Sequence, residues 1–313
     1  MSTIAVFGAN GFIAQNLIRE LLKNPENSIL AFGNYSTKPN PFRGIEKVKI
    51  YNGNFLVMDD IEEFMNLQQI DFVFHLISTT VPASSDKNPY YDIETNVKSS
   101  IKLFEMCVEK KVKKVVFISS GGTVYGDAGD DKISETHVTQ PISPYGIGKV
   151  TIEHFLRYFK ATKNMNYIVY RLANPYGPLQ NLYAKQGIIP IFMRKIMEDE
   201  TITIYGDGSM QRDYIYIDDV TRMIVGSFEK NNKYSEYNIG SSKGTSIMQI
   251  LEGIEKITQK KASIVFQDAP ASFVKFSALD TKRFTDEFNI RPSVELEEGL
   301  EEMLNYVKSI QQE

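Results

Sequence analysis

Tyr145 and Lys149 stand four residues apart in Ser143-Pro144-Tyr145-Gly146-Ile147-Gly148-Lys149. In a helix that spacing puts both side chains on one face, one turn apart. A free tyrosine has a pKa near ~10 and is a poor acid or base at neutral pH. An ammonium beside it favours the phenolate, so Lys149 is expected to lower the Tyr145 pKa. A phenol tuned in that way exchanges a proton with a substrate hydroxyl while a hydride leaves or reaches the same carbon. Among 17 tyrosines, Tyr145 alone has a lysine four residues on, which is what chance allows. The pair gains weight from the segments that must position it.

The chain opens on an apolar run at residues 3–7, read as a buried parallel strand. Gly8-Ala9-Asn10-Gly11-Phe12-Ile13-Ala14 follows, then an amphipathic helix to about residue 23. Strand, glycine-rich turn and helix make a phosphate cradle. Gly8 permits the tight turn and Gly11 a close backbone approach, while the helix start offers free N–H groups and a positive dipole end. Ala14 fills the third glycine position with a residue small enough for close helix–strand packing. An ordinary strand-to-helix turn is the bland alternative.

Further strands are expected at 27–32, 48–51, 71–77, 115–120 and 166–171, with helices at 59–66, through Asn96 to about 109, and from Tyr145 to about 159. Ser78-Thr79-Thr80 falls just beyond the fourth strand, where open α/β sheets bind ligands. Gly121-Gly122-Thr123-Val124-Tyr125-Gly126 ends the fifth, with Ser119, Ser120 and Thr123 clustered there. Thr123 serves equally as a β-turn hydroxyl. Residues 110–114 read as a solvated helix end. No acid closes the second strand to bind ribose hydroxyls, and Ser36, Lys38 or Arg43 would tolerate a 2′-phosphate, so NADP stays open beside NAD. Further on, a helix is expected at 188–197, a strand at 201–205, a strand at 213–217, a helix capped by Asp218, a helix capped by Ser246, and helices at 279–288 and 294–310.

Bulk composition narrows the class. The 313 residues are 42% hydrophobic and 24% charged, values of a soluble globular protein. A net charge of −4 argues against a nucleic-acid partner. No apolar run approaches the ~18 residues of a membrane span, and the first residues lack a signal peptide's basic region. Single Cys107 excludes an internal disulfide and suits a cytoplasmic enzyme. His75, His137 and His154 are scattered and make no metal-ligand cluster.

Together the Gly-rich turn, Ser119–Gly126 and the Tyr145 stretch resemble the extended short-chain dehydrogenase/reductase superfamily. Within it the chain is similar to nucleotide-sugar epimerases and dehydratases, and most to UDP-glucose 4-epimerase-like proteins. Arg171-Leu172-Ala173-Asn174-Pro175-Tyr176-Gly177-Pro178, Gly206 to Val220 and Tyr237-Asn238-Ile239-Gly240 carry the resemblance through most of the chain. It implies an α/β fold: a doubly wound parallel sheet of Rossmann type over 1–172, with returning segments near 211–240. A smaller C-terminal α/β substrate domain over 173–313 is implied with it. It implies NAD as cofactor and a nucleotide sugar as substrate, with Tyr145 as acid/base and Lys149 on the nicotinamide ribose.

Cofactor contacts are implied for Gly8, Asn10, Gly11, Phe12, Ile13, Asn34, Asn54, Leu76, Ser78, Asn96, Ser119, Tyr145 and Lys149. Substrate contacts are implied for Thr79, Thr123, Asn174 and Arg212, the last two on the diphosphate. Arg212 is otherwise an ion-pair partner of Asp213 or Asp218. A homodimer through helices at about 93–110 and 145–160 is implied as well, with Ile101, Leu103, Phe104 and Phe155 fitting either that contact or the core.

Departures bear on the chemistry. Gly121 stands where the family has a catalytic Ser or Thr, so Thr123 or Ser120 must replace it. Gly33 stands at the acid position of strand two, Asn54 at an adenine-contacting Asp, and Ser272 at a phosphate-binding Arg. The expected activity is nucleotide-sugar 4-epimerisation. The alternatives are an NAD(P)H-dependent 4-ketoreductase and a non-catalytic nucleotide-binding protein.

Overall fold

The computed structural model describes residues 2–36, 40–80, 85–129, 131–184, 186–268 and 274–311. Lys38 and Ser272 lie outside the described residues. The main strands are β1 (Ser2–Phe7), β2 (Asn27–Gly33), β3 (Val48–Asn52), β4 (Phe72–His75), β5 (Lys114–Ser120), β6 (Tyr167–Leu172) and β10 (Glu236–Ile239). They form one seven-stranded sheet in the order β3-β2-β1-β4-β5-β6-β10. Every neighbouring pair is parallel. Strand order reverses beside β1, between β2 and β4, which is the switch point where such sheets bind ligands.

Helices cover both faces, which is why these strands read as continuous apolar runs. They are α1 (Phe12–Leu21), α2 (Met58–Met65), α3 (Pro89–Asp92), α4 (Lys98–Glu109) and α5 (Pro144–Lys163). Alternation along β1 divides the core. Ile4 and Val6 pack with Leu17 and Ile18 of α1. Ala5 and Phe7 pack with Phe64 of α2, Phe104 of α4 and Leu156 of α5. A single π turn, Ile93–Val97, joins α3 to α4.

The second half builds smaller sheets. Strand β9 (Gln211–Tyr216) is flanked by β7 (Asn174–Tyr176), β11 (Gly244–Ser246) and β13 (Phe276–Ser277). Strands β8 (Thr201–Tyr205) and β12 (Ser263–Gln267) pair in parallel. Helices α6 (Ile188–Met197), α7 (Ile217–Val225), α8 (Ile247–Thr258), α9 (Lys282–Phe288) and α10 (Leu296–Ile310) complete the chain.

Several expectations change. Helix α7 starts at Ile217 without a side-chain cap, so Asp218 is not its N-cap. Neighbouring Asp219 instead accepts N–H groups from Ser293 and Val294, both at 2.8 Å. Residues 279–281 are not helical, because Leu279 forms a parallel bridge with Ile133 and α9 begins only at Lys282. The basic run is not wholly solvated: Lys114 opens β5, is 7% exposed, and donates to the Lys230 carbonyl at 2.6 Å. Leu103 and Phe104 are fully buried and serve the core, and the partly buried Ile101 and Phe155 pack against the same cluster.

Candidate active site

At the switch point the chain leaves β1 through Gly8 at φ +88°, a conformation that favours glycine. A Cβ there would stand 3.1 Å from the Ile77 nitrogen, against the chain leaving β4. The Gly11 N–H closes the turn on the Gly8 carbonyl at 2.9 Å. Gly11 then caps α1 with no side-chain hydrogen bond, which leaves the first-turn amides of Phe12 and Ile13 without a side-chain acceptor. This is the donor set a pyrophosphate requires, and the residues fit a dinucleotide.

Asn10 reaches across to donate to the Asn34 carbonyl at 2.7 Å, tying the cradle to the end of β2. Space is tight where the acid is missing. A Cβ on Gly33 would lie 3.1 Å from Asn10 Oδ1 and 3.3 Å from Tyr35 Cε2. Asn54 is exposed, and its side chain accepts from the Leu56 amide at 3.1 Å. Leu76 continues β4, its amide donating to the Phe7 carbonyl at 3.0 Å.

Helix α5 delivers the acid/base pair. Ser143 caps it, accepting the Gly146 amide at 3.2 Å, and Pro144 follows as the first helical residue. Tyr145 therefore sits in the first turn and Lys149 in the second. The Lys149 ammonium lies 5.6 Å from the Tyr145 ring centroid and donates to the Ile118 carbonyl at 3.0 Å. Lys149 is 6% exposed. Burial pushes its pKa down to about 8, while Asp92 and Glu153 act the other way.

Tyr145 departs from expectation. Burial and the Asp92 carboxylate push its pKa up to about 12, and the hydroxyls of Ser120 and Ser78 only partly offset them. The net direction is upward, against the lowering expected from Lys149. Of the two hydroxyls considered in place of Gly121, Ser120 is the one that faces the phenol. Thr123 Oγ1 is buried without a protein partner, as a hydroxyl waiting for a ligand would be.

Two further assignments move. Ser119 donates its hydroxyl to Glu153 at 2.5 Å and is 4% exposed, so its side chain faces the core rather than a cofactor. Asn96 is 5% exposed and its amide is engaged. It donates to Asp92 Oδ1 at 2.9 Å and accepts the Thr79 amide at 2.9 Å. Asn96 thus fixes the loop after β4. In that loop Thr79 donates its hydroxyl to Thr95 at 2.5 Å, and Ser78 to the Thr80 carbonyl at 2.9 Å. The sequence did not single out Asp92 or Glu153. Nothing in the spacing distinguishes them from surface acids, and only packing buries them.

The diphosphate candidates lie beyond the loop after β5. Asn174 donates to the Asp213 carbonyl at 2.8 Å, and its Oδ1 is 4.0 Å from a Cβ on Gly122. Arg212 contacts the carbonyls of Gln211 and Val274 at 2.7 and 2.8 Å. Among the described residues no carboxylate pairs with it. Asp213 is taken by the Ser241 hydroxyl at 2.6 Å and by the amides of Ser241, Ser242 and Leu279. A half-buried guanidinium without a counter-charge suits an anionic ligand.

Sheet order, glycine turn and the Tyr145–Lys149 helix define a dinucleotide-dependent enzyme of Rossmann type. The family described as NAD dependent epimerase/dehydratase matches residues 4–240, and the chain belongs to it; its cofactor is NAD. The dTDP-4-dehydro-6-deoxyglucose reductase of Escherichia coli is 34% identical over 310 residues, 97% of both chains. A putative UDP-glucose 4-epimerase of Methanocaldococcus jannaschii is 29% identical over 311 residues, 98% of both. Among solved structures, UDP-glucose 4-epimerase of Thermotoga maritima with UDP-glucose superposes with a TM-score of 0.92 at 31% identity, covering 99% of both chains. Among the described residues no helix is long and apolar enough to cross a membrane.

Proposed function

We propose that the chain is a nucleotide-sugar 4-epimerase. NAD, held by the turn of Gly8, Gly11, Phe12 and Ile13, would supply reversible hydride transfer at C4 of the sugar. Tyr145 takes the proton of the C4 hydroxyl as the C–O bond becomes C=O, and gives it back when the ketone is reduced. Between the two events the 4-keto sugar turns to offer its other face. Ser120 and Ser78 orient the phenol, and Lys149 holds the nicotinamide ribose. Arg212 and Asn174 hold the diphosphate, and residues 173–313 close over the sugar. The observation that carries this reading is the placement of Tyr145 and Lys149 on α5, at the carboxyl ends of β4 and β5. The likeness to the Thermotoga epimerase supports it. A homodimer through α4 and α5 belongs to the same reading, with Ile147 (49% exposed) and Tyr158 (53%) on the outer face of α5.

A 4-ketoreductase is the second reading. It uses the same residues once per cycle, with Tyr145 as proton donor and reduced cofactor consumed. The 34% identity to the E. coli reductase favours it, as does a Tyr145 held protonated.

The test is to denature freshly purified protein and identify released nucleotide by mass spectrometry, then assay UDP- and dTDP-sugars with and without added cofactor. Stoichiometric NAD and turnover without added cofactor support the epimerase. An empty site and strict dependence on added NADH or NADPH would replace it with the reductase. Tyr145→Phe is expected to cost 10²- to 10⁴-fold in turnover, roughly the worth of a positioned proton-transfer group, with the fold unchanged. Near wild-type activity in that variant would remove Tyr145 from its role.

A further inference from the structure

Behind the acid/base pair lies a carboxylate that neither the cradle nor the phosphate contacts use. Asp92 ends α3 and is 2% exposed. It accepts the Thr80 hydroxyl and, at 2.9 Å, the Asn96 amide. Its Oδ1 lies 2.6 Å from where a Cβ on Gly148 would stand. Gly148 sits between Tyr145 and Lys149, and its missing side chain lets the carboxylate press against the backbone of α5. A buried carboxylate must be compensated, and two neutral donors compensate only in part.

We propose that Asp92 is a positioning residue for the acid/base pair: wedged against α5 at Gly148, it keeps the proton on Tyr145 and the charge on Lys149. This rests on the reading of Tyr145 as the acid/base. The titratable and charged groups around the pair are few. Helix α5 supplies Lys149 and Glu153, β4 supplies neutral, buried His75, and β6 supplies Arg171, which Glu153 holds at 2.5 Å. Glu153 is spent on Arg171. Among the described residues Asp92 is thus the negative charge left to act on the phenol, and its charge bears on both Tyr145 and Lys149. A negative neighbour disfavours the phenolate and favours the ammonium. The consequence is a resting site with a protonated Tyr145, the form that gives its proton back to the C4 ketone; the oxidising half of the epimerase cycle needs the phenolate, which the positive charge of the oxidised nicotinamide would favour.

Asp92→Asn tests this, because it removes the charge and keeps the shape and an acceptor. A ring-fluorinated tyrosine incorporated at position 145 reports the phenol by fluorine NMR in the NAD-bound protein, with no substrate present. The titration midpoint is expected to fall by about one pH unit in Asp92→Asn, the usual size for one close charge. The basic limb of kcat/KM should move the same way. If Asp92 only braces the loop, Asp92→Asn will leave the midpoint in place while Asp92→Ala loses activity, and the proposal is overturned. Should Asp92→Asn not fold, Gly148→Ala drives the carboxylate off the helix, and an unmoved midpoint there overturns it as well. Full activity in Tyr145→Phe would instead defeat the functional reading, so the two failures are separable.

Discussion

At the scale of single residues, the charges beneath the site matter as much as the groups that face it. Arg171 and Glu153 are 5% and 3% exposed and meet at 2.5 Å, with Arg171 Nε also 3.2 Å from both Glu153 oxygens. Ser119 and Tyr125 complete the cluster, Tyr125 accepting from Arg171 at 2.9 Å. Removing one partner strands the other charge in the core. Glu153→Leu is expected to lower the unfolding free energy by about 3–5 kcal/mol, and Glu153→Leu with Arg171→Met to recover much of it. Urea midpoints decide it: equal losses in the single and double variants would show that packing, not the stranded guanidinium, sets the cost. At this scale Tyr145, Lys149 and Gly8 were readable from the sequence, since their spacing to neighbours carries the meaning. Asp92 and Glu153 were not, because burial is conferred by elements distant in the chain.

Elements differ in what their ends are for. Ser143 caps α5 and Ser246 caps α8, the latter in a full capping box with Gln249. Loss of either cap is expected to cost about 1 kcal/mol. The consequences diverge, because Ser143 is two residues from Tyr145 while Ser246 lies in β11, opposite Gln211 of β9. Ser246→Ala should lower the melting temperature and leave kcat alone. Ser143→Ala should lower both, because fraying of the first turn displaces the phenol. Matched thermal melts and kcat values for the pair test this, and an unchanged kcat in Ser143→Ala would refute the element-level argument. The sequence located α6 (Ile188–Met197) and β8 (Thr201–Tyr205) to the residue. It gave no sign of β7, β11 or β13. Strands of two or three residues contain no full alternation, and they exist here only because β9 offers an edge.

Over the whole molecule, protonation couples the site to stability. His75 is fully buried at the end of β4, with the rings of Phe55, Phe104 and Phe117 centred 5.3, 6.2 and 5.2 Å away. Ser100 donates its hydroxyl to the Asn96 carbonyl at 2.5 Å, so the 2.7 Å contact with His75 Nε2 must have the ring as donor. Nδ1 is then a bare, buried acceptor without a partner. Burial, and secondarily Lys149, push the His75 pKa from 6.5 down to about 3. Between those values the unfolded chain takes up a proton that the folded chain refuses. Stability therefore falls as pH drops through this window, by about 1.4 kcal/mol per pH unit. From pH 6.5 to about pH 5, His75 alone should remove about 2 kcal/mol. His75→Phe places a ring of similar shape among three others and leaves Ser100 bonded to Asn96. It should match wild type near pH 7 within the packing cost and exceed it near pH 5, with the gap widening as pH falls. Other groups titrate in the same range, but they are common to both proteins and cancel in the difference. Urea unfolding at the two pH values gives that difference directly, and parallel losses in the two proteins would mean that His75 is protonated in the fold.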